Sequence, residues 1–334
     1  MVENENTVLR AEQIDILKAL CAFFVVCIHE PFPGEIGNYF ITLARVAVPI
    51  FFMITGFFYL DTISQHKIKQ QIRKIFCLGV EANFLFFIWE IILKLKKRTS
   101  VVFYMRSIFT KKNLLKLLLF NESPWAAHLW YLGAILYVLV IALVVDQLKC
   151  RRLLYYLIPV LLMLDLVFGK YSLLILHREF PYILVRNFMC VGLPYFYIGN
   201  LIREKVNFKN LSKKVIQRLI CVFVVTAFTE RFILVKIGLN TVRDHYISTT
   251  LLAICLFMYA FKSNWKNKKL ILIGRKYSTG IYIIHPILIT LLDKITDRIG
   301  IKLIYKCIAP IIVYCVTFIV LVIIQKVKKI IEIK

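Results

Sequence analysis

The stretch ALCAFFVVCIHEPFPG, residues 19–34, combines an apolar helix with a titratable end. From Cys21 to Ile28 every residue is apolar, as expected for a helix that is surrounded by hydrocarbon. The stretch then reaches His29 and Glu30 and stops at two prolines, which cannot continue the interior of a helix. It therefore predicts a membrane helix that ends on a pair of proton-exchanging side chains.

Comparable apolar runs recur along the chain, which is 60% hydrophobic, whereas soluble domains contain about 45–50% apolar residues. A helix needs about 20 apolar residues to cross a bilayer. We therefore predict an all-α fold, a polytopic transmembrane helix bundle in the cell membrane. Its spans, about ten in number, are expected at 14–31, 40–60, 74–93, 128–145, 153–168, 182–201, 216–233, 246–261, 277–292 and 303–325.

The net charge of +25 would suggest nucleic-acid binding in a soluble protein, but its placement indicates a membrane protein instead. Basic residues concentrate in alternate loops, and short basic loops remain in the cytoplasm. This alternation predicts that both termini are cytoplasmic. The expected domains are a polar N-terminus at 1–13, a membrane domain at 14–325 and a basic cytoplasmic tail at 326–334.

One loop departs from this pattern, because residues 94–127 hold eight basic residues on the predicted outer side. The loop contains IFTKKNLLKLLLF, in which apolar residues recur at helical spacing with lysines between them. We interpret the segment near 107–120 as an amphipathic helix that lies on the membrane surface. Alternatively the loop is cytoplasmic, in which case a preceding span is miscounted.

Charged and titratable residues also occur inside the predicted spans. Each charge costs about 2.5–3.5 kcal/mol on insertion scales when it lies at mid-helix. Such residues must be paired or hydrated, which predicts a polar cavity among the helices. They are Lys18, His29, Arg45, Glu81, Glu90, Arg186, Glu230, Arg231 and His285.

Lys18 and His29 are separated by three helical turns, so both lie on one helix face about 16 Å apart along its axis. The lysine could hold an anionic substrate that enters from the cytoplasm and present it to the histidine, a base suited to neutral pH. An alternative is that Lys18 extends to the inner interface and His29 merely sits at the outer one.

Two later motifs add candidate residues. HLWYL contains His128, Trp130 and Tyr131, and YSTGIYIIHP contains Tyr282 and His285. Tryptophan and tyrosine at the edge of a span are more often interfacial anchors than site residues, and His285 could be a structural histidine. The sequence alone leaves these alternatives open.

In this order and spacing, the motifs resemble the acyltransferase 3 family of integral membrane acyltransferases. The similar segments are KALCAFFVVCIH, ARVAVPIFFMITGFFYL, HLWYL and YSTGIYIIHP. Within the family, the chain resembles the membrane half of vancomycin-resistance serine racemases, and we expect it to lack the racemase half. The resemblance implies a catalytic role for His29 and places Lys18 where the family has an arginine. Lysine keeps the charge of that arginine but lacks its planar fork.

The resemblance implies an O-acyltransferase, most simply an acetyltransferase, of the bacterial plasma membrane. It would move an acyl group from cytoplasmic acyl-CoA to a hydroxyl of an extracytoplasmic carbohydrate or lipid-linked sugar. Glu30 would orient the histidine, and Arg45 or Arg186 would stabilise the thioester oxyanion. We expect acyl-CoA as a co-substrate, membrane lipid as surroundings, and no bound cofactor, metal or nucleic acid. The alternative function is a transporter or permease for a small polar solute such as an amino acid.

Overall fold

The computed structural model describes residues 2–120, 122–205, 210–241 and 244–333, and it is 83% helical. Within these ranges there is no β-strand, so the predicted all-α fold is confirmed. The α-helices in the described ranges are α1 (Val2–His29), α2 (Gly34–Ala44), α3 (Ala47–Ser64), α4 (Ile68–Lys96), α5 (Val101–Ile108), α6 (Lys111–Phe120), α7 (Trp130–Gln147), α8 (Arg151–Phe168), α9 (Ser172–Leu176), α10 (Leu193–Lys205), α11 (Lys213–Lys236), α12 (Ile247–Lys262), α13 (Lys268–Leu272), α14 (Ser278–Arg298) and α15 (Lys302–Ile333).

The chain forms two compact units. The first unit comprises Met1–Phe51, Asn207–Gly238 and Asp244–Lys334, and the second comprises Phe52–Val206 and Leu239–Arg243. That residues 14–325 form one membrane domain stays a prediction.

In the first unit, α1 is the central helix and packs against α2, α12, α13, α14 and α15. Its buried face presents Ala19, Ala22 and Val26 to a core that includes Ile281 of α14 and Ala309 of α15. Small side chains allow the backbones of membrane helices to approach closely, where dispersion contacts stabilise the pair. This packing holds the C-terminal half of α1 against α14 and α15.

In the second unit, α10 packs against α8, and α4 packs against α7. Helices α3 and α10 cross at glycines, because a Cβ added to Gly56 would lie 1.9 Å from the carbonyl oxygen of Phe196. Reciprocally, a Cβ on Gly199 would lie 2.0 Å from the carbonyl oxygen of Met53. The glycine of the motif MITGFF is therefore required by close backbone contact within this unit.

Five helical segments of the described chain are long and apolar enough to cross a membrane, and α12 is a shorter apolar helix. The five segments are Gly34–Ser64, Ile68–Lys96, Ala127–Gln147, Lys268–Arg298 and Lys302–Ile331. They agree with a multi-pass membrane bundle. The count of ten spans and the cytoplasmic position of both termini remain predictions.

The second predicted span, 40–60, differs from the structure because it consists of two helices. Helix α2 ends at Ala44, and α3 begins at Ala47. Pro49 explains the break, since it lacks an N–H and its ring clashes with the carbonyl of the residue four positions earlier, Arg45. The break places Arg45 at a helix end instead of mid-helix.

Two other predicted helices are interrupted. The sixth span, 182–201, is a 3₁₀ turn (Tyr182–Leu184), a π-helical turn (Phe188–Gly192) and then α10. Asn187 causes the interruption. Its backbone is extended, and its side-chain Oδ1 accepts hydrogen bonds from the N–H groups of Met189 and Cys190. The amphipathic segment near 107–120 is likewise divided, because α5 ends at Ile108 and α6 begins at Lys111. Thr110 caps the start of α6, since its Oγ1 accepts a hydrogen bond from the Asn113 N–H at 3.2 Å.

Candidate functional site

The end of α1 brings two histidines together in the first unit. His29 is the last residue of α1, and its ring centroid lies 5.0 Å from that of His285 on α14, with the ring planes inclined by 50°. His29 is exposed, whereas His285 is fully buried. Two histidines from separate sequence motifs therefore form a pair with one solvent-accessible member.

The surroundings of His285 determine which of its nitrogens carries a proton. Its Nδ1 lies 3.0 Å from the carbonyl oxygen of Ile281. A carbonyl oxygen can only accept a hydrogen bond, so Nδ1 is the donor. In the neutral ring Nε2 then holds the lone pair and is the basic nitrogen.

Glu30 follows His29 in sequence, and it is held by a distant part of the chain. Its side chain is buried, and Lys306 of α15 donates to its Oε1 over 2.6 Å. Lys306 also forms an ion pair of 2.9 Å with Asp293 of α14. The end of α1 is thus joined to both α14 and α15 by one lysine between two carboxylates.

Lys18 lies on the same continuous helix as His29, as the spacing predicted, and it is paired with Asp15. The Lys18 Nζ lies 3.2 Å from Asp15 Oδ1, and Arg275 Nε lies 2.8 Å from Asp15 Oδ2. Asp15 is buried, whereas the Arg275 side chain is 52% exposed. A carboxylate in the middle of α1 thus holds two cations.

The approach of Arg275 to α1 depends on the residue that precedes it. Gly274 belongs to a π-helical turn, Ile273–Tyr277, that packs against α1. A Cβ added to Gly274 would lie 1.6 Å from the carbonyl oxygen of Asp15. Only glycine therefore permits this backbone contact without movement of the turn.

The structure pairs several charges that the sequence placed in apolar spans of the first unit. These contacts are Arg45 with Asp244, Arg231 with Glu35 (3.0 Å) and Glu230 with the Ser248 side chain and N–H. Pairing offsets the cost of removing these groups from water, as the sequence analysis expected. Helix α4 differs, because Glu81 is exposed and Glu90 is only half-buried, so Glu81 does not face a bundle interior.

Four other candidate residues occur together in the second unit. The guanidinium of Arg186 lies over the rings of Trp130 (5.6 Å) and Tyr182 (4.5 Å) and donates to the Ala127 carbonyl oxygen at 3.3 Å. The buried His128 packs edge-on against Phe86, and Tyr131 packs against Phe52. Trp130 is buried, so it is a packing partner of the arginine and not an exposed interfacial anchor.

A family model described as an acyltransferase domain matches residues 12–324. The chain belongs to the acyltransferase 3 family. An amino-acid racemase of Enterococcus faecalis is 26% identical over 321 residues, which cover 87% of this chain and 43% of that protein. The chain therefore spans less than half of the length of this curated relative. No solved structure matches the chain.

Family membership confirms the resemblance drawn from the motifs, and the structure adds where their residues lie. This acyltransferase 3 member brings together His29, His285 and Glu30 at the C-terminal end of α1, and Lys18 lies about three helical turns before that end. The buried Tyr282 lies on α14, one turn before His285. His128, Trp130, Tyr131 and Arg186 belong to the second unit.

Sequence reasoning missed several residues of this family member that contact the candidates. Asp15 could have been found, because a carboxylate three residues before Lys18 is on the same helix face. Arg275 lies in a basic loop, where one arginine is indistinguishable from its neighbours. Lys306 is 276 residues from Glu30, and no local pattern connects the two.

Proposed function

We propose that this acyltransferase 3 domain transfers an acetyl group from cytoplasmic acetyl-CoA to a hydroxyl of an extracytoplasmic envelope carbohydrate. The observation that carries the proposal is the histidine pair, an exposed His29 at the end of α1 against a buried His285. A hydroxyl attacks a thioester efficiently only when a base removes its proton. His29 is the accessible member and is assigned as that base.

In this reaction the acceptor hydroxyl oxygen bonds to the thioester carbonyl carbon while His29 takes the hydroxyl proton. The carbon–sulfur bond then breaks, and the proton goes to the departing coenzyme A thiolate, so His29 is regenerated. Arg45, which belongs to the same unit as His29, is the candidate cation for the carbonyl oxygen, whose negative charge grows during attack. His285 is assigned as the positioning residue of the His29 ring, with its Nδ1 held by the Ile281 carbonyl.

Lys18 is assigned to the anionic part of the acyl donor. It lies about 16 Å from His29 along α1, so a donor held by Lys18 would have to extend over that distance to react at His29. The donor phosphates would compete with Asp15 for Lys18, which is 28% exposed. Arg275 shares the same carboxylate and offers the planar guanidinium that Lys18 lacks.

The test compares His29→Gln with a matched control, His66→Gln, at an exposed histidine of the loop after α3. Membranes receive labelled acetyl-CoA, and acetylation of the envelope carbohydrate is measured at equal protein level. His29→Gln should lower transfer by about 10²–10⁴-fold, the range that a positioned base supplies, whereas His66→Gln should leave it unchanged. Glu30→Gln should reduce transfer partially. Normal transfer by correctly inserted His29→Gln protein would remove His29 from the mechanism.

A second candidate function is transport of a small polar solute such as an amino acid. The similarity to a protein named amino-acid racemase favours it, because such a protein acts on amino acids. The discriminating measurement is uptake of labelled serine and alanine by vesicles that contain the purified protein. Uptake without any acetyl transfer from acetyl-CoA would support transport and overturn the acyltransferase proposal.

A further inference from the structure

A large apolar groove in the second unit is not used by the proposed reaction. Helices α4, α6 and α7 enclose it, and its volume is 520 Å³. Its walls include Val80 and Phe87 of α4, Leu118 of α6 and Leu136 of α7. The volume is within the range of about 300–1,000 Å³ that ligand sites occupy.

The open side of the groove faces the surroundings of the protein, not its core. Phe76, Val80 and Phe84 of α4 line the groove and are 56%, 54% and 61% exposed. Helix α4 is one of the segments that are long and apolar enough to cross a membrane. In a bilayer these side chains face hydrocarbon, because water would penalise so much exposed apolar surface.

One wall of the groove holds a hydrogen-bond donor that the described residues leave unused. Trp125 lines the groove, and its Nε1 is buried without a hydrogen-bond partner in the described part of the chain. Its ring packs edge-on against Phe87 (5.6 Å) and Phe109 (6.0 Å), so its orientation is set. A buried indole N–H usually finds an acceptor, and here a ligand oxygen in the groove can provide it.

The basic loop that contradicted the charge pattern is adjacent to the groove. Lys111 and Leu118 are two helical turns apart on α6, so they lie on one face, and Leu118 lines the groove. Lys111 and Lys112 are exposed, and the loop 94–127 holds eight basic residues. Basic residues beside a bilayer-facing apolar surface attract anionic lipid headgroups, each contributing about 1 kcal/mol.

We propose that this groove binds one hydrocarbon chain of an anionic phospholipid of the bilayer. The chain fills the apolar space between α4, α6 and α7. The Trp125 N–H donates to an ester carbonyl or phosphate oxygen of the lipid, and Lys111 and Lys112 of α6 neutralise the headgroup. Lys111 and Lys112 then serve lipid binding, so their charge does not report the side of the membrane on which the loop lies.

The test uses the full chain in nanodiscs that contain equal amounts of phosphatidylglycerol and phosphatidylcholine. Native mass spectrometry after release counts the lipids that remain bound. We expect one retained phosphatidylglycerol per chain. Lys111→Gln should weaken its binding by about fivefold, the equivalent of the roughly 1 kcal/mol from one lysine. Arg152→Gln, which changes an exposed basic residue elsewhere in the second unit, should not.

A groove-filling variant separates this site from general lipid adhesion. A Cβ on Gly79, which lines the groove, would meet nothing within 4 Å, so Gly79→Phe should fold and fill the space. Val160→Phe places the same ring on an exposed apolar surface of α8 as the control. Loss of phosphatidylglycerol in Gly79→Phe alone supports the proposal. Four results would overturn it. They are retention of phosphatidylglycerol by Gly79→Phe, equal retention of phosphatidylcholine by the wild type, a bound polyprenyl phosphate, and a dimer that closes the groove.

Discussion

At the scale of single residues, the carboxylate beside His29 has a structural partner from another helix. Glu30 is 3% exposed, and a buried carboxylate is costly unless a cation and hydrogen bonds compensate it. Lys306 provides that cation and is itself shared with Asp293. The histidine is therefore attached to a helix end whose position is held by an ion-pair network.

Replacing Lys306 tests this role. Lys306→Met leaves Glu30 without its lysine and should destabilise the protein by at least about 1–3 kcal/mol, the cost of leaving a buried polar group unsatisfied. It should also lower the turnover of acyl transfer without raising the KM for acetyl-CoA, because the lysine lies at the His29 end of α1. Lys306→Arg should restore both. Unfolding temperature in detergent and steady-state kinetics are the measurements.

Lys302 is the matched control on the same helix. It forms a 3.1 Å ion pair with Asp297, but both side chains are exposed, at 46% and 65%. Lys302→Met should therefore change stability by at most about 0.5 kcal/mol. Equal stability and turnover in the Lys306→Met and Lys302→Met proteins would show that the buried network does not hold the end of α1.

At the scale of elements, α1 is positioned by backbone contacts that glycine permits. The π-helical turn at Ile273–Tyr277 reaches α1 because Gly274 has no Cβ, and it brings Arg275 to Asp15. The sequence predicted a basic loop at 262–276, before a span that starts at 277, and hydrophobic patterning could not predict such contact. The contact joins the backbones of Gly274 and Asp15, which are far apart in the sequence.

Adding one methyl group tests the contact. Gly274→Ala would force the turn and α1 apart, and we expect it to destabilise the protein by about 1–3 kcal/mol, as overpacking does. Gly79→Ala is the control, since nothing lies within 4 Å of its added Cβ, and it should stabilise by about 0.5–1 kcal/mol. Thermal unfolding in detergent measures both. Equal effects of the two variants would contradict a close contact at Gly274.

At the scale of the whole molecule, the distribution of positive charge predicts the orientation in the membrane. The loops 61–74, 146–152, 201–218 and 262–276 hold four, three, six and six basic residues, whereas residues 31–40 hold none. Basic short loops remain in the cytoplasm, so the end of α1 that carries His29 should face outward. That orientation is required if the acceptor is extracytoplasmic.

A membrane-impermeant thiol reagent on intact cells tests the orientation. Cys150, an exposed cysteine in the loop at 146–152, should be protected in cells and react only after the membrane is permeabilised. Ile36→Cys, at a position that is 81% exposed near the start of α2, should react in intact cells. The reverse pattern would invert the topology and place His29 on the side of the donor.

The sequence by itself determined the all-α class, the family and the two histidines and lysine that the proposal uses. Local apolar runs and short motifs carry this information, because a helix in hydrocarbon satisfies its own backbone and its residues are consecutive. The tertiary structure decided which side chains meet. His29 lies against His285, Lys306 holds Glu30 across 276 positions, and Arg275 reaches Asp15 across 260. These contacts arise from packing between distant helices, and helix breaks at Arg45 and Asn187 arise from local sterics and capping that hydropathy does not measure.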